Sequence, residues 1–538
     1  MQTELKIYRF GTSGYRSDQE DGFNDTVVKQ ITQSIIDYLI ESHSLEVLQS
    51  CPVLIGGDTR EKSRRYIPLI ARWLNEAGLD VFQADGDLPT PVLAYAAKFF
   101  EQLGLGPTQT VGAVLMTASH NPWAYGGYNF LTPDAAVVPS SISARFAELQ
   151  ASPKHLSLQR KISSGEITPQ TRVFDPFTAY QQHLKTEIGI NYARIKESGL
   201  TIAYDPLYAT GRKYFPNLLQ AEGIKVQGIH LEDTRPHNYQ GMPEPSASNL
   251  SELAALVKAV SKEHPLTVGF ANDGDADRFG VLDEAGRFVS PNDVLLLTLY
   301  HLLTHRKHHY PAGGVLVRSQ ASSHILDALC RQHGIEVIQT PVGYKYIAET
   351  FIEREEEGLS PVILGGESSG GLSIGGHIPE KDGLIANLLI AELIATENKA
   401  LSQILSGIKA DLSEKFAFQE LSIHTEKGKA ILEAAKTLDE FSITPQDRLS
   451  FDAASSQRTA ESLEQHYGTR DGVKLYAQDD SWFLFRMSGT EPLARIYFEV
   501  TAATAEAAEA RRAATESAVR QWLESEYGIP SDSIKAKD

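Results

Sequence analysis

Short apolar runs recur along most of this chain, and each ends in a turn rich in glycine, aspartate or serine before a segment of helical periodicity begins. The runs start at Val53, Val111, Thr201, Val268, Val315 and Val362. Alternation of such runs with helical segments is typical of parallel α/β units. Open α/β sheets bind ligands at the carboxyl ends of their strands, so we expect the functional residues in the turns that follow these runs.

The pattern changes near the C-terminus. Trp482–Phe485 and Ile496–Val500 are predicted to be strands on either side of a turn. A helix rich in Ala, Glu and Arg is predicted from Thr504 to about Tyr527. This last region is therefore expected to be a domain that does not follow the α/β alternation of the rest of the chain.

Polar stretches and stretches that contain Gly or Pro divide the chain. Residues 139–172 are rich in Ser, Gln and Lys and are predicted to form a surface excursion, and further boundaries are expected near residues 194–199, 305–314 and 412–425. The sequence thus predicts four domains, which cover residues 1–192, 193–308, 309–412 and 413–538.

The composition is that of a globular protein with several hydrophobic cores. The 538 residues are 42% hydrophobic and 22% charged, which excludes a disordered chain or a fibrous rod. Lys and Arg total 50 against 69 Asp and Glu, a net charge of −19. Such an acidic surface disfavours binding to nucleic acid or to an anionic membrane.

Cysteine usage and hydropathy suggest a compartment. Cys51 and Cys330, the two cysteines, fit neither a disulfide framework nor a zinc-binding spacing. The N-terminal residues lack an apolar signal region, and no run approaches the ~18 apolar residues of a membrane span. We therefore expect a soluble cytoplasmic protein.

Three aspartates stand two residues apart after the predicted strand that starts at Val268. The oxygens of Asp273, Asp275 and Asp277 can converge there on one hard cation such as Mg²⁺, without which such close like charges would be costly. An EF-hand is one alternative, because Glu284 stands at the twelfth position of a loop that starts at Asp273. However, its sixth position is Arg278 where an EF-hand needs glycine, and a strand precedes it where an EF-hand has a helix. A solvated acidic turn is the other alternative.

A second turn holds a serine that could act as a covalent acceptor. Thr117–Pro122 places Ser119 and His120 between a buried strand and a proline that stops regular structure. Ser-His neighbours on a loop are also ordinary turn residues, so both interpretations stay open. The string is not the G-x-S-x-G nucleophile elbow of hydrolases.

Three other turns could recognise a phosphate or a sugar. Arg486–Pro492, with Arg495 beyond it, combines arginines, hydroxyls and a glycine that suit an anion, although a tight turn between strands is an equal alternative. Gly365–Gly371 carries a carboxylate and two hydroxyls that could bind sugar hydroxyls, or it is a mobile surface loop. Phe10–Arg16 offers hydroxyls and an arginine, or is an N-terminal loop.

These five segments, in this order, resemble the α-D-phosphohexomutase superfamily of phosphoglucomutases and phosphomannomutases. The resemblance runs from Gly11 to Arg495, and its most specific strings are Asp-Gly-Asp-Ala-Asp-Arg at 273–278 and Ser-Gly-Thr-Glu-Pro at 488–492. It implies an α/β fold with three related α/β domains and a C-terminal TBP-like α+β domain around a central cleft. Each domain would carry one functional loop.

The resemblance also implies roles for individual residues. Ser119 would be the phosphoserine, and it would bind Mg²⁺ together with Asp273, Asp275 and Asp277. Arg16 and Arg278 would neutralise the phosphoryl group during transfer, and Glu367 and Ser369 would bind the sugar hydroxyls. The nonreacting phosphate would be held by Arg486, Ser488, Gly489, Thr490 and Arg495.

The implied reaction moves a phosphoryl group reversibly between the 1- and 6-positions of a hexose phosphate. It passes through a hexose 1,6-bisphosphate, and glucose 1,6-bisphosphate would be the activator. The string Gly343-Tyr344-Lys345 resembles the phosphoglucomutase type, so glucose phosphates are favoured and mannose phosphates tolerated. The expected partners are hexose phosphate substrates, with no nucleic acid or membrane, and the expected assembly is a monomer or homodimer.

One position departs from the family pattern. The family usually has a lysine in the stretch after the catalytic serine, whereas this chain has Asn129, which cannot transfer a proton. His120 or Lys345 would then take over proton transfer. Three alternatives stay open: a glucose-1,6-bisphosphate synthase, a phosphomannomutase as the main activity, and a binding or regulatory protein on a mutase scaffold. Retention of Ser119 and the aspartates disfavours the last of these.

Overall fold

The computed structural model divides the chain into two compact units. Unit 1 contains Met1–Pro291, Ala348–Gly365 and Ser369–Ser402, and unit 2 contains Asn292–Ile347, Gly366–Ser368 and Gln403–Asp538. The structure describes residues 6–11, 14–19, 22–151, 169–232, 241–309, 314–487 and 492–537.

The strands in these ranges are β1 (Tyr15–Ser17), β2 (Val53–Gly57), β3 (Val81–Ala84), β4 (Gly112–Met116), β5 (Gly126–Leu131), β6 (Thr171–Phe174), β7 (Thr201–Asp205), β8 (Val226–Gly228), β9 (Thr267–Asn272), β10 (Phe279–Leu282), β11 (Phe288–Val289), β12 (Val315–Ser319), β13 (Glu336–Thr340), β14 (Val362–Glu367), β15 (Gly371–Ile374), β16 (Lys415–His424), β17 (Glu440–Thr444), β18 (Asp447–Ser450), β19 (Val473–Tyr476), β20 (Trp482–Met487), β21 (Leu493–Ala502) and β22 (Ile534–Lys537).

The α-helices are α1 (Asp25–Ser42), α2 (Leu45–Ser50), α3 (Glu61–Ala77), α4 (Thr90–Lys98), α5 (Ser140–Gln150), α6 (Phe177–Thr186), α7 (Tyr192–Glu197), α8 (Phe215–Gln220), α9 (Ser251–Val260), α10 (Pro291–Thr304), α11 (Ile325–His333), α12 (Tyr344–Glu356), α13 (Gly383–Glu397), α14 (Leu401–Asp411), α15 (Gly428–Ala435), α16 (Ala453–Tyr467) and α17 (Ala505–Tyr527).

Two mixed sheets form the frame of unit 1. The first has the order β1-β5-β4-β2-β3-β6, with a parallel centre and an antiparallel edge made by β5 and β1. The second has the order β11-β10-β9-β7-β8, again with parallel central strands and an antiparallel edge. Strands β2, β4 and β9 are buried along their whole length, as expected for strands covered on both faces.

Unit 2 combines a parallel strand pair with an antiparallel C-terminal sheet. Strands β12 and β13 pair in parallel. The C-terminal sheet has the order β19-β20-β21-β16-β22, and all of its pairs are antiparallel. The apolar faces of its strands pack with α17 in one hydrophobic core, so the change of pattern near the C-terminus corresponds to a change from parallel to antiparallel pairing.

The predicted strands and the C-terminal helix are confirmed, and two details differ from expectation. The antiparallel edges of the two sheets were not expected from the α/β alternation, because β5 and β10 follow turns instead of helices. Within the expected surface excursion, α5 packs on the first core through Phe146, and β6 joins the first sheet. Among the helices in the described ranges, none is both long enough and apolar enough to cross a membrane.

Candidate active site

The turn after β4 holds Ser119 in a strained, buried position. Ser119 has φ of 48°, in the left-handed region that non-glycine residues rarely adopt, and is 2% exposed. Its N–H donates to the Thr117 hydroxyl at 2.8 Å, and Thr117 in turn donates to Asp58 Oδ2 at 2.7 Å. Strain of this kind persists only where surrounding bonds enforce it, which is common at functional sites.

Arg60 provides much of that enforcement. Its guanidinium donates to the backbone carbonyls of Ser119, Asn121 and Pro122, each at 2.6 Å. The same side chain is held by Asp58 at 2.9 Å, and both side chains are fully buried. Arg60 therefore fixes the backbone of the serine turn. It can do so because its buried ion pair with Asp58 holds the guanidinium in place while the guanidinium donates to the carbonyls of the turn.

The second sheet brings the three aspartates to this serine. The Ser119 hydroxyl donates to Asp273 Oδ2 at 2.8 Å. One oxygen from each of Asp273, Asp275 and Asp277 lies within 4.8 Å of the others, and all three residues are buried. A Cβ at Gly274 would overlap the Ser119 carbonyl oxygen, so only glycine permits this approach of the two turns.

The carboxylates repel one another in a site with little water. Burial, followed by the charges of Asp277 and Asp275, holds the pKa of Asp273 well above its ordinary value. Burial and the charge of Asp277 raise the pKa of Asp275 to about 6. Burial also opposes ionisation of Asp277, but Lys381 and Arg278 outweigh it and hold the pKa of Asp277 below its ordinary value.

The donor set fits a hard divalent cation. Asp275 Oδ1 and Asp277 Oδ1 are buried and accept no hydrogen bond within the described part of the chain. Three carboxylates and a hydroxyl are the oxygen ligands that Mg²⁺ prefers. An EF-hand is excluded, because the cluster lies in the turn between β9 and β10 and not between helices.

Cationic side chains of unit 1 surround the cluster. Lys381 forms a close ion pair with Asp277 Oδ2, and Arg278 Nε lies 3.9 Å from Asp277 Oδ1. Arg16 on β1 donates to Asn121 of the serine turn at 2.7 Å. Burial lowers the pKa of Arg16, and the charge of Asp275 opposes that shift. The structure therefore brings Arg16 and Arg278 to the serine and aspartate turns, where the sequence expected them.

The candidates for proton transfer lie in different places. His120 Nδ1 is 3.3 Å from Ser119 Oγ. Asn129 is buried on β5, and its side-chain oxygen accepts from the N–H of Phe130 at 2.9 Å, so it serves the local backbone. Lys345 belongs to unit 2, where it lies in the first turn of α12, and its ammonium is 4.7 Å from the ring centre of Tyr346.

Unit 2 carries the predicted phosphate-binding arginines and one predicted sugar-binding residue. Arg486 and Arg495 face each other across β20 and β21. Arg495 lies 3.6 Å from Glu420, and Glu367 at the end of β14 accepts from the N–H of Gly343 at 2.8 Å. Ser369 lies in the turn that follows β14. Ser488, Gly489 and Thr490 lie outside the described residues, as do Thr12 and Ser13.

Several residues at the site were not predicted. Asp58 and Arg60 follow β2, so the rule that strand ends hold functional groups could have found them. Lys381 was signalled only by the charged string Glu380-Lys381-Asp382 in front of the apolar helix α13. Thr90 donates to Asp275 Oδ2 at 2.8 Å, and no sequence signal marks it.

Comparison with known proteins agrees with this geometry. The α/β/α domains I, II and III of the phosphoglucomutase/phosphomannomutase family match residues 8–152, 178–286 and 290–410. The C-terminal domain of the same family matches residues 450–517. These matches confirm the predicted fold of three α/β domains followed by a C-terminal domain, while the predicted bounds of the four domains stay predictions.

Individual relatives cover nearly the whole chain. A phosphoglucomutase/phosphomannomutase of Thermococcus kodakarensis is 27% identical over 484 residues, which are 90% of each protein. A phosphoglucosamine/phosphogalactosamine mutase of Sulfurisphaera tokodaii is 26% identical over 89% of this chain and 94% of its own. The crystal structure of a Thermus thermophilus protein assigned as a phosphomannomutase superposes with a TM-score of 0.74 at 26% identity, over 97% of this chain and 100% of the other. The chain belongs to the phosphoglucomutase/phosphomannomutase family, and it is an enzyme of the hexose phosphate mutase class.

Proposed function

We propose that this enzyme interconverts the 1- and 6-phosphates of a hexose, with glucose phosphates preferred, through a phosphoserine at Ser119. The observation that carries the proposal is the hydrogen bond of 2.8 Å from Ser119 Oγ to Asp273, inside a carboxylate cluster with two unsatisfied oxygens. A nucleophile placed against a hard-cation site is the arrangement that phosphoryl transfer needs, since catalysis there is mostly positioning and charge stabilisation.

The residues of unit 1 would bind the metal and neutralise the transferring phosphoryl group. Asp273, Asp275 and Asp277, with Ser119, would hold Mg²⁺, which would neutralise charge on the transferring oxygens when bound. Arg16 and Arg278 would add positive charge at the same turns. The arginines and the metal together would offset the negative field of a chain with a net charge of −19.

Proton balance determines the role of His120. When the bond between the phosphorus and Ser119 Oγ breaks, a new bond forms to a sugar hydroxyl oxygen, and that hydroxyl must lose its proton. His120 Nδ1 lies 3.3 Å from Ser119 Oγ, where it would take the proton of the attacking sugar hydroxyl and pass it to the Ser119 oxygen as that oxygen leaves phosphorus. Asn129 offers no such group, and Lys345 is the alternative that we predict from the family resemblance. In the return step, the Ser119 hydroxyl attacks the other phosphate, and its proton passes to the sugar oxygen that leaves phosphorus. The products are a phosphoserine and a hexose monophosphate that carries its phosphate at the other position.

Other residues are assigned to recognition of the rest of the substrate. Arg486 and Arg495 would hold the phosphate that does not react, together with the 488–490 turn, and Glu367 would accept hydrogen bonds from sugar hydroxyls, assisted by Ser369. The Gly343-Tyr344-Lys345 string favours glucose phosphates. Cys51 and Cys330 are both free thiols in buried positions, which fits the cytoplasmic setting that we propose.

The test is an activity assay with a panel of sugars. Conversion of glucose 1-phosphate to glucose 6-phosphate is measured with Mg²⁺, with and without catalytic glucose 1,6-bisphosphate, and with Ser119→Ala as the blank. We expect turnover that the bisphosphate stimulates and that is absent in the blank. Mannose 1-phosphate and glucosamine 1-phosphate are measured in parallel, and a higher kcat/KM for either would overturn the assignment to glucose.

The same assay separates the mutase from a bisphosphate synthase. A synthase would release glucose 1,6-bisphosphate and would need a second phosphoryl donor, so its net product would accumulate as the bisphosphate. The mutase keeps the intermediate until the second transfer. Quantifying both products by anion-exchange chromatography decides between them.

A further inference from the structure

Asp471, in the turn before β19, accepts hydrogen bonds from three separate segments of unit 2. Its Oδ1 accepts from Nε and Nη2 of Arg486 at 2.9 and 2.8 Å. Its Oδ2 accepts from the N–H of Val342 at 2.6 Å and from Gln320 Nε2 at 3.2 Å. The carboxylate has about four lone-pair sites, so this one side chain is saturated.

The backbone at Asp471 is shaped for this contact. Asp471 has φ of 44°, in the left-handed region, where a non-glycine residue is strained. Its carbonyl oxygen also accepts from Gln320 Nε2, at 2.6 Å. At the next residue, Gly472, an added Cβ would lie 2.8 Å from Cγ of Arg486 and would overlap the Phe485 carbonyl. Only glycine at 472 allows the turn to lie directly against the arginine.

The contact continues from the arginine to the predicted sugar-binding residue. Val342, which donates to Asp471, is followed by Gly343, whose N–H donates to Glu367 Oε1 at 2.8 Å. Arg486 and Glu367 are thus joined through one carboxylate and two consecutive peptide groups. Asp471 is the group in this path that contacts Arg486 itself.

A second set of buried polar contacts joins residues 320–324 to the C-terminal sheet. Lys474 donates to the carbonyl of Gln320 at 2.5 Å, and its ammonium lies 4.0 Å from the ring centre of Trp482. Glu499, which is fully buried, accepts from the hydroxyl of Ser323, from the N–H of His324 at 2.8 Å and from the indole N–H of Trp482 at 2.9 Å. Fully satisfied buried polar groups of this kind make a contact between two segments rigid.

We propose that Asp471 is a positioning residue that sets the spacing between the phosphate-binding and the sugar-binding groups. It fixes the guanidinium of Arg486 and ties it, through Val342 and Gly343, to Glu367. This spacing selects a hexose monophosphate in which the distance from the phosphate to the sugar hydroxyls matches the distance from Arg486 to Glu367. The inference rests on the proposed function, in which Arg486 binds the nonreacting phosphate and Glu367 the sugar.

The test is a double-mutant cycle on KM. Asp471→Asn keeps the shape of the side chain but points an amide N–H₂ at either Arg486 or Val342. We expect this variant to raise KM for glucose 1-phosphate about tenfold with kcat within about threefold, because binding rather than chemistry is affected. Arg486→Ala should raise KM at least as much. Because Asp471 acts through Arg486, the KM of the double variant should be no higher than that of Arg486→Ala alone.

Asp479→Asn is the matched control. Asp479 also pairs with an arginine in the C-terminal domain, Arg511, at 2.5 Å, but has no contact with Arg486 among the described residues. KM should stay within about twofold of the wild-type value. Gln320→Leu is the second variant, because it removes two donors to Asp471 and keeps the carboxylate. It should raise KM by about two- to fivefold, and it carries the cycle if Asp471→Asn does not fold.

The outcomes separate this inference from the proposed function. If Arg486→Ala leaves KM unchanged, the role of Arg486 in phosphate binding is wrong and the inference falls with it. If Arg486→Ala raises KM but Asp471→Asn and Gln320→Leu do not, or if their effects add to that of Arg486→Ala, the positioning role of Asp471 is refuted while the proposed function stands.

Discussion

Aspartates serve opposite purposes in the two units of this protein. In unit 1, Asp273, Asp275 and Asp277 are buried together, and two of their oxygens accept no hydrogen bond among the described residues. In unit 2, the carboxylate of Asp471 accepts four hydrogen bonds from Arg486, Val342 and Gln320. Carboxylate oxygens that lack a donor suit a cation from outside the chain, which is the role that we propose for this cluster, whereas a saturated carboxylate can only hold its neighbours in place.

The largest effect is expected at the serine, and it should separate chemistry from binding. Ser119→Ala removes the covalent acceptor, so turnover should fall by about four orders of magnitude or more. The Kd of glucose 6-phosphate, measured by calorimetry, should stay within about threefold, because the residues of unit 2 that we propose bind the substrate are unchanged. Ser143→Ala on α5 is the matched control. A Ser119→Ala enzyme that retains turnover would contradict the account.

The carboxylate cluster should respond to charge removal with opposite changes in activity and stability. Asp275→Asn keeps an acceptor for Thr90 but removes one of three repelling charges. Activity should fall on the order of 100-fold because a metal ligand is lost. In the metal-free protein, the midpoint of thermal unfolding should rise by a few degrees because less like charge is buried.

Added Mg²⁺ provides the control for that variant. The wild-type protein should gain thermal stability with Mg²⁺, because a ligand that binds the folded state stabilises it, and Asp275→Asn should gain less. Equal Mg²⁺-dependent shifts in the two proteins would show that the cluster is not the cation site.

The turn that carries Ser119 should be sensitive to loss of its support. Arg60→Lys keeps the charge but cannot reach the three carbonyls that the guanidinium bonds, so the serine turn should shift and kcat should fall by about 10- to 100-fold. Arg64→Lys is the matched control, because Arg64 lies one turn further along the same helix and binds Asp87 bidentately. A kcat for Arg60→Lys equal to that of the control would refute the positioning role.

The smallest effect is expected in unit 2, where a substitution should lower the stability of the protein. This is the reverse of the gain in stability expected for metal-free Asp275→Asn. Asp471→Asn should lower the stability of the protein by about 1–3 kcal/mol, because Arg486 loses a charged partner in a half-buried place. Asp479→Asn should cost less, since its pair is more exposed. Chemical denaturation measures both. If Asp471→Asn and metal-free Asp275→Asn change stability in the same direction, the distinction drawn between the two kinds of aspartate is wrong.

Much of the fold was predictable because its signals are local. Short apolar runs such as Val53–Ile55, bounded by a glycine-containing turn, favour strands covered on both faces, and the three carboxylates of the Asp-Gly-Asp-Ala-Asp-Arg string are themselves the signal for a cation site. The antiparallel edges of the sheets were not predictable, because pairing direction depends on where the chain turns back and not on the composition of β5 or β10.

The supporting residues escaped prediction for a related reason. Arg60 stands 59 positions from Ser119 and Asp471 stands 129 positions from Val342, so neither pairing leaves a spacing that a sequence pattern could detect. An isolated charged residue is usually solvated, and only burial distinguishes these from the rest. The residues that we propose touch the substrate thus cluster in recognisable strings, while the residues that hold them do not.

The most direct test of the central claim is to find where the enzyme carries its phosphate. The protein is incubated with glucose 1,6-bisphosphate and Mg²⁺, digested, and mapped by mass spectrometry, and the phosphoenzyme is then treated with glucose 1-phosphate. The account predicts one phosphorylated site, Ser119, whose phosphate disappears as glucose bisphosphate forms. Phosphate on another residue, or a phosphoserine at 119 that glucose 1-phosphate does not discharge, would contradict it.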